Sequence, residues 1–219
     1  MTHIEIPALG RSGSDRIVRC LAAAVLLLQL FETFLDRGPL AVVLTLAVMV
    51  VGLCLTDGNC NAFGLRRTPV QGWLHWCRLA LIFGGVILVL SAIYALIAWT
   101  TDWNVAVPKA PPEDVMHRAF WFCVYSPVVE EAGFRILLTI ALLPWLGARG
   151  TIVASGVLFA AVHVLRGNPG PDNMVAGFLL EWAYLRSGTV LVPLAMHTGG
   201  NALALASHAV NWYVLPDFL

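Results

Sequence analysis

AFWFCVYSPVVEEAGFRILLTIALLPWLG, Ala119 to Gly147, is the stretch on which the fold turns. Both flanks of its centre are apolar enough for the hydrocarbon core of a bilayer, which takes about 20 such residues per helix. The centre, SPVVEEAGFR, carries two adjacent glutamates, Glu130 and Glu131, and an arginine, Arg135. An ionised side chain at mid-bilayer costs about 2.5 kcal/mol or more, so charges kept there point to a functional site.

The rest of the chain repeats the apolar pattern. Of 219 residues 59% are hydrophobic and 12% charged, with a mean hydropathy of +0.80, far from the balance of a soluble domain. Apolar runs at 19–35, 39–56, 79–99, 117–146, 151–166, 173–186 and 189–210 predict an all-α, polytopic membrane helical bundle of about seven to eight transmembrane helices. We divide it into residues 1–112, an N-terminal tail with three anchoring helices; 113–210, a helical core holding the candidate chemistry; and 211–219, a C-terminal tail. Thirteen basic and thirteen acidic residues cancel, and Lys109 is the single lysine, so no basic face suits nucleic acid. The five cysteines form no CxxC pair and read as small apolar packing residues. Arg11, Arg16 and Arg19 ahead of the first run, with Arg66, Arg67 and Arg78 after the second, predict a cytoplasmic N-terminus and a first run retained as an anchor.

Glu131 and Arg135 stand four residues apart in the favourable acid-before-base order, which predicts an ion pair on one helix face and leaves Glu130 for another task. Ser126-Pro127 is expected to kink or restart the helix, putting both glutamates near a helix N-terminus. Gly133 allows a close approach by backbone or substrate. Two more polar pairs follow at the same spacing, Phe159 with His163 and His197 with Asn201. Glu32 and Glu181 lie toward span ends and read as solvated or pairing residues, His208 as interfacial, and Gly199-Gly200 as helix packing. A glutamate in a low-dielectric pocket can serve as general base toward water, and a histidine can share the proton work. Histidine and asparagine on one face supply N–H donors for a tetrahedral oxyanion. Glu130 with His163, and His197 with Asn201, therefore suit peptide-bond hydrolysis by activated water; no HExxH zinc motif and no GxGD aspartyl motif competes.

The ordered set EExxxR (Glu130, Glu131, Arg135), FxxxH (Phe159, His163) and HxxxN (His197, Asn201) resembles the CPBP family, also called the Abi or CAAX prenyl protease 2 family. The resemblance covers roughly residues 113–210. It implies an all-helical intramembrane endopeptidase of the glutamate type, without a cofactor. Glu130 and His163 would activate the water, His197 and Asn201 would form the oxyanion hole, and Glu131, Arg135 and Phe159 would position them. It also implies a membrane-anchored protein or peptide as substrate, processed at a C-terminal tail or leader. The implied setting is a bilayer, with the chain as a multi-pass protein of a bacterial inner membrane.

Three other readings use the same residues. Glutamate and two histidines are a ligand set for catalytic zinc. Buried polar groups can also hold together a non-catalytic immunity or scaffold protein, or serve a proton-coupled transporter, although the chain has neither repeated halves nor paired broken spans.

Overall fold

The computed structural model describes residues 13–35, 39–55, 64–100, 110–168 and 170–214. They form eight helices: α1 Gly13–Leu35, α2 Pro39–Leu55, α3 Trp73–Thr100, α4 Pro112–Phe120, α5 Ser126–Glu131, α6 Leu138–Leu165, α7 Pro171–Ser187 and α8 Leu191–Val214. Among the described residues there is no strand, only an isolated bridge between Leu65 and Thr189. The all-α expectation holds.

Two stretches are long and apolar enough to cross a membrane, Trp73–Ile93 and Glu113–Leu165. They take in the third, fourth and fifth of the expected spans. α3 is apolar on every side, and only 6% of its most apolar window is buried. Leu81, Val89 and Leu90 all point outward. So large an apolar surface has no favourable place in water, and lipid satisfies it.

Between α4 and α6 the chain stays helical but changes pitch twice. π-helical turns at Trp121–Tyr125 and Ala132–Leu137 flank α5. The expected restart at Ser126-Pro127 does not occur. Ser126 is helical (φ −59°, ψ −51°), and its N–H reaches back five residues to the Trp121 carbonyl. The wider turn absorbs the proline, so Glu130 and Glu131 sit mid-helix and the dipole of a helix N-terminus is not what favours them. The break expected between the fourth and fifth runs is at Gly147, where φ is +62°, a conformation glycine adopts without steric cost.

The described residues form two compact units, those within 1–71 and 128–194, and those within 72–127 and 195–219. In the first, α1 contributes Val18, Ala22 and Leu26 to a core completed by Leu137, Phe159 and Leu185. α6 and α7 approach closely because both carry glycine at the contact. A Cβ on Gly177 would stand 3.0 Å from the Gly156 Cα and 2.6 Å from the Phe159 Cβ. Lipid tails are as apolar as leucine, so close backbone packing and internal hydrogen bonds must hold such helices together. The segment 64–71 straps the connection after α7: Val70 N–H donates to the Ser187 carbonyl (3.0 Å), and Val190 N–H to the Gly64 carbonyl (2.8 Å). The second unit has a small core of Ala110, Cys123 and Leu205, with Ala119 and Phe122 packed against it.

Candidate active site

In the first unit the pairing expected from sequence is present. Arg135 Nε donates to Glu131 Oε2 at 2.8 Å, and both side chains are fully buried. The arginine does more than that pair requires. Its Nη1 donates to the Ser155 hydroxyl, to the Gly177 carbonyl (3.3 Å) and to Glu181 Oε2 (3.5 Å). The Thr139 hydroxyl donates to the other Glu181 oxygen at 2.8 Å. Of the two roles expected for Glu181, solvated or pairing, the structure shows the pairing one, in a fully buried member of this cluster. Burying a charge is costly unless it is paired and hydrogen-bonded, and α5, α6 and α7 all supply partners to Arg135 through Nε and Nη1, while its Nη2 is buried without one among the described residues.

Phe159 and His163 share a face of α6, as their spacing predicts. The rings stack with centroids 4.3 Å apart and planes at 27°. The Arg135 guanidinium stands 5.6 Å from the Phe159 ring centre, and Phe134 meets that ring edge-on at 5.3 Å. His163 Nδ1 lies 2.9 Å from the Phe159 carbonyl oxygen. A carbonyl can only accept, so Nδ1 carries the hydrogen and neutral His163 presents a lone pair on Nε2. That is the tautomer a proton acceptor needs.

Glu130 is half-buried on α5, with Oε2 shielded from solvent. The backbone beside it is pinned from α1: Gln29 Nε2 donates to the Val129 carbonyl at 3.0 Å. Gly133 makes room for this glutamine, since a Cβ there would stand 2.5 Å from Gln29 Oε1. The close approach expected at Gly133 is thus made by a side chain of α1. Glu32 lies outside the residues whose side chains the structure describes.

His197 and Asn201 belong to α8 in the second unit. His197 is buried, and Asn201 Nδ2 donates to the Phe122 carbonyl at 2.6 Å. The origin of that acceptor lies in the sequence SP. In an α-helix the Phe122 carbonyl would take the Ser126 N–H, but the π turn gives that hydrogen to Trp121. In the π register its partner would be residue 127, a proline, which has no N–H. The carbonyl is left open, and the asparagine amide fills it. One amide hydrogen of Asn201 is committed in this way and the second remains for another acceptor. Among the described residues, and apart from their own helix's backbone and chain neighbours, no heavy atom lies within 4 Å of where a Cβ on Gly199 or Gly200, expected to serve helix packing, would stand. A cavity of about 520 Å³ opens in the same unit between Trp121, Phe122, Tyr125, Leu205 and His208. His208 packs on Phe122 there, with ring centres 6.5 Å apart.

Sequence reasoning passed over Gln29, Thr139, Ser155 and the Phe122 carbonyl. A glutamine in the apolar run of α1, and small hydroxyls inside α6, were the available signals. Among the described residues, no group of three or more His, Cys, Asp or Glu is arranged to hold a metal ion.

A buried ion-paired cluster and a histidine whose Nδ1 faces a backbone carbonyl thus lie on an all-helical chain that includes two long apolar stretches. Residues 112–203, from the start of α4 into α8, match the family model described as type II CAAX prenyl endopeptidase Rce1-like, which bears out the resemblance carried by the three motifs. The family is one of membrane proteases, and the match supports reading the chain as a hydrolase. No curated protein and no solved structure matches the chain.

Proposed function

We propose that the chain is an intramembrane endopeptidase of the glutamate type, built as a multi-pass bundle of seven to eight membrane helices. It hydrolyses a peptide bond in a membrane-anchored protein or peptide, at a C-terminal tail or leader. Glu130 takes a proton from water while His163, through Nε2, shares the transfer. The hydroxide attacks the scissile carbonyl, and the tetrahedral oxyanion accepts N–H donors from His197 and from the free amide hydrogen of Asn201. The proton then passes to the leaving amine. Glu131, Arg135 and Phe159 position the acid–base pair. The family match implies a substrate of the CAAX class as one form of this reaction.

The observation that carries this reading is the His163 contact with the Phe159 carbonyl, which leaves Nε2 as the basic atom. The cavity beside Phe122 adds space for a peptide side chain next to the residue that holds Asn201. The zinc and scaffold readings have no comparable contact in their favour.

The test compares membrane-protein termini in cells carrying the wild-type chain with cells carrying equally expressed Glu130→Gln and His163→Ala variants. One set of new termini, missing from both variants, is expected and identifies substrate and cleavage site together. Unchanged termini in both variants, with the wild-type phenotype intact, would replace the protease with the scaffold. Full activity after metal chelation is expected; activity lost with stoichiometric zinc and restored by adding it back would move the mechanism to the metal.

A further inference from the structure

Glu181 belongs to none of the three motifs, yet it is one of the largest fully buried side chains in the molecule. Its contacts run in one direction. Thr139 fixes one carboxylate oxygen at 2.8 Å and the other faces Arg135 Nη1 at 3.5 Å. Glu131 holds the opposite edge of the guanidinium through Nε. Ser155 on α6 and the Gly177 carbonyl on α7, one turn before Glu181, complete the grip on Nη1.

A guanidinium held through both Nε and Nη1 has little freedom to turn, and its central carbon stands over the Phe159 ring. Phe159 is confined in turn by the Phe134 edge and by Gly177, which has no Cβ to push it away. The Phe159 ring stacks on the His163 ring. Glu181, Arg135, Phe159 and His163 thus form one packed column, entirely within the first unit, in which each group fixes the orientation of the next.

We propose that Glu181 is a positioning residue for His163, acting through Arg135 and Phe159. Its task is to hold the imidazole in the orientation that keeps Nδ1 on the Phe159 carbonyl and Nε2 free. The proposal rests on the reading of His163 as a proton carrier, and its test separates the two. Glu181→Leu removes both acceptors and leaves Nη1 to Ser155 and Gly177. Glutamine can keep both contacts, its carbonyl accepting from Arg135 and its amide donating to the Thr139 hydroxyl.

The experiment uses the full chain in detergent micelles, with histidine labelled by nitrogen-15 and the His163 ring signals assigned by their loss in His163→Gln. Kinetics are measured on a peptide spanning the cleavage site found by the terminus comparison. Glu181→Leu is expected to shift the His163 signals toward a mixture of tautomers, and to lower kcat about tenfold to a hundredfold with KM within about twofold. Glu181→Gln should stay near wild type in both. Should Glu181→Leu not fold, Thr139→Val removes only the hydroxyl that orients Glu181; the same shift is expected, with kcat down about twofold to fivefold. Wild-type His163 signals in folded Glu181→Leu, or in folded Thr139→Val where the leucine variant does not fold, would overturn the proposal. A shift of those signals in a chain whose Glu130→Gln variant still cleaves would support the column while removing the proposed mechanism.

Discussion

The two units solve one problem in opposite ways. Each must hold a polar side chain still in apolar surroundings. The first does it by accumulation: Arg135 meets Glu131, Glu181, Ser155 and a backbone carbonyl, with aromatic rings on its face. The second does it by subtraction. Proline removes one N–H, a π turn diverts another, and the open Phe122 carbonyl holds Asn201 through a single hydrogen bond. Accumulated charges are strong together and costly to break singly. A single bond to an orphaned carbonyl is cheap to make and leaves the amide one donor to spend elsewhere.

That contrast sets the order of expected effects. Arg135→Leu should be the most damaging change, because it strands two buried carboxylates; a loss of about 3–5 kcal/mol is expected, read from denaturant titration in micelles. Wild-type stability in that variant would mean the cluster does not hold α6 and α7 together. Asn201→Ala should leave the fold nearly untouched and lower kcat about 10²–10³-fold on the identified peptide, the usual effect of losing one oxyanion donor. An unfolded Asn201→Ala protein would erase the distinction between the units. Pro127→Ala is the mildest and sharpest test. It returns an N–H that can compete for the Phe122 carbonyl, so Asn201 loses part of its anchor. A drop of about threefold to tenfold in kcat is expected with KM unchanged, roughly the net value of one hydrogen bond. An unchanged rate would show that the asparagine is held by something other than the freed carbonyl.

What could be read in the sequence follows a simple boundary. The Glu131–Arg135 pair and the Phe159–His163 stack each lie within four residues on one helical run, and helical periodicity alone puts such residues side by side. The contacts that escaped join residues 46 apart (Arg135 and Glu181), 79 apart (Phe122 and Asn201) and 100 apart (Gln29 and Val129). No local pattern encodes them. The proline misled for a related reason. Its missing N–H correctly signalled a disturbed helix, but whether the chain restarts or widens depends on what receives the freed carbonyl, and that residue comes from α8.

By itself the sequence determined that this chain is helical and suited to a membrane, because bilayer-length apolar runs leave the backbone no partner but itself. It also determined which residue types face together on each helix. Only the tertiary structure decided that Glu181 is buried on Arg135, that Gln29 of α1 steadies the backbone beside Glu130, and that a proline in one helix sets an asparagine in another. The physical reason is the same in each case: a polar group excluded from water must find a partner, and the nearest one in space is rarely the nearest in sequence.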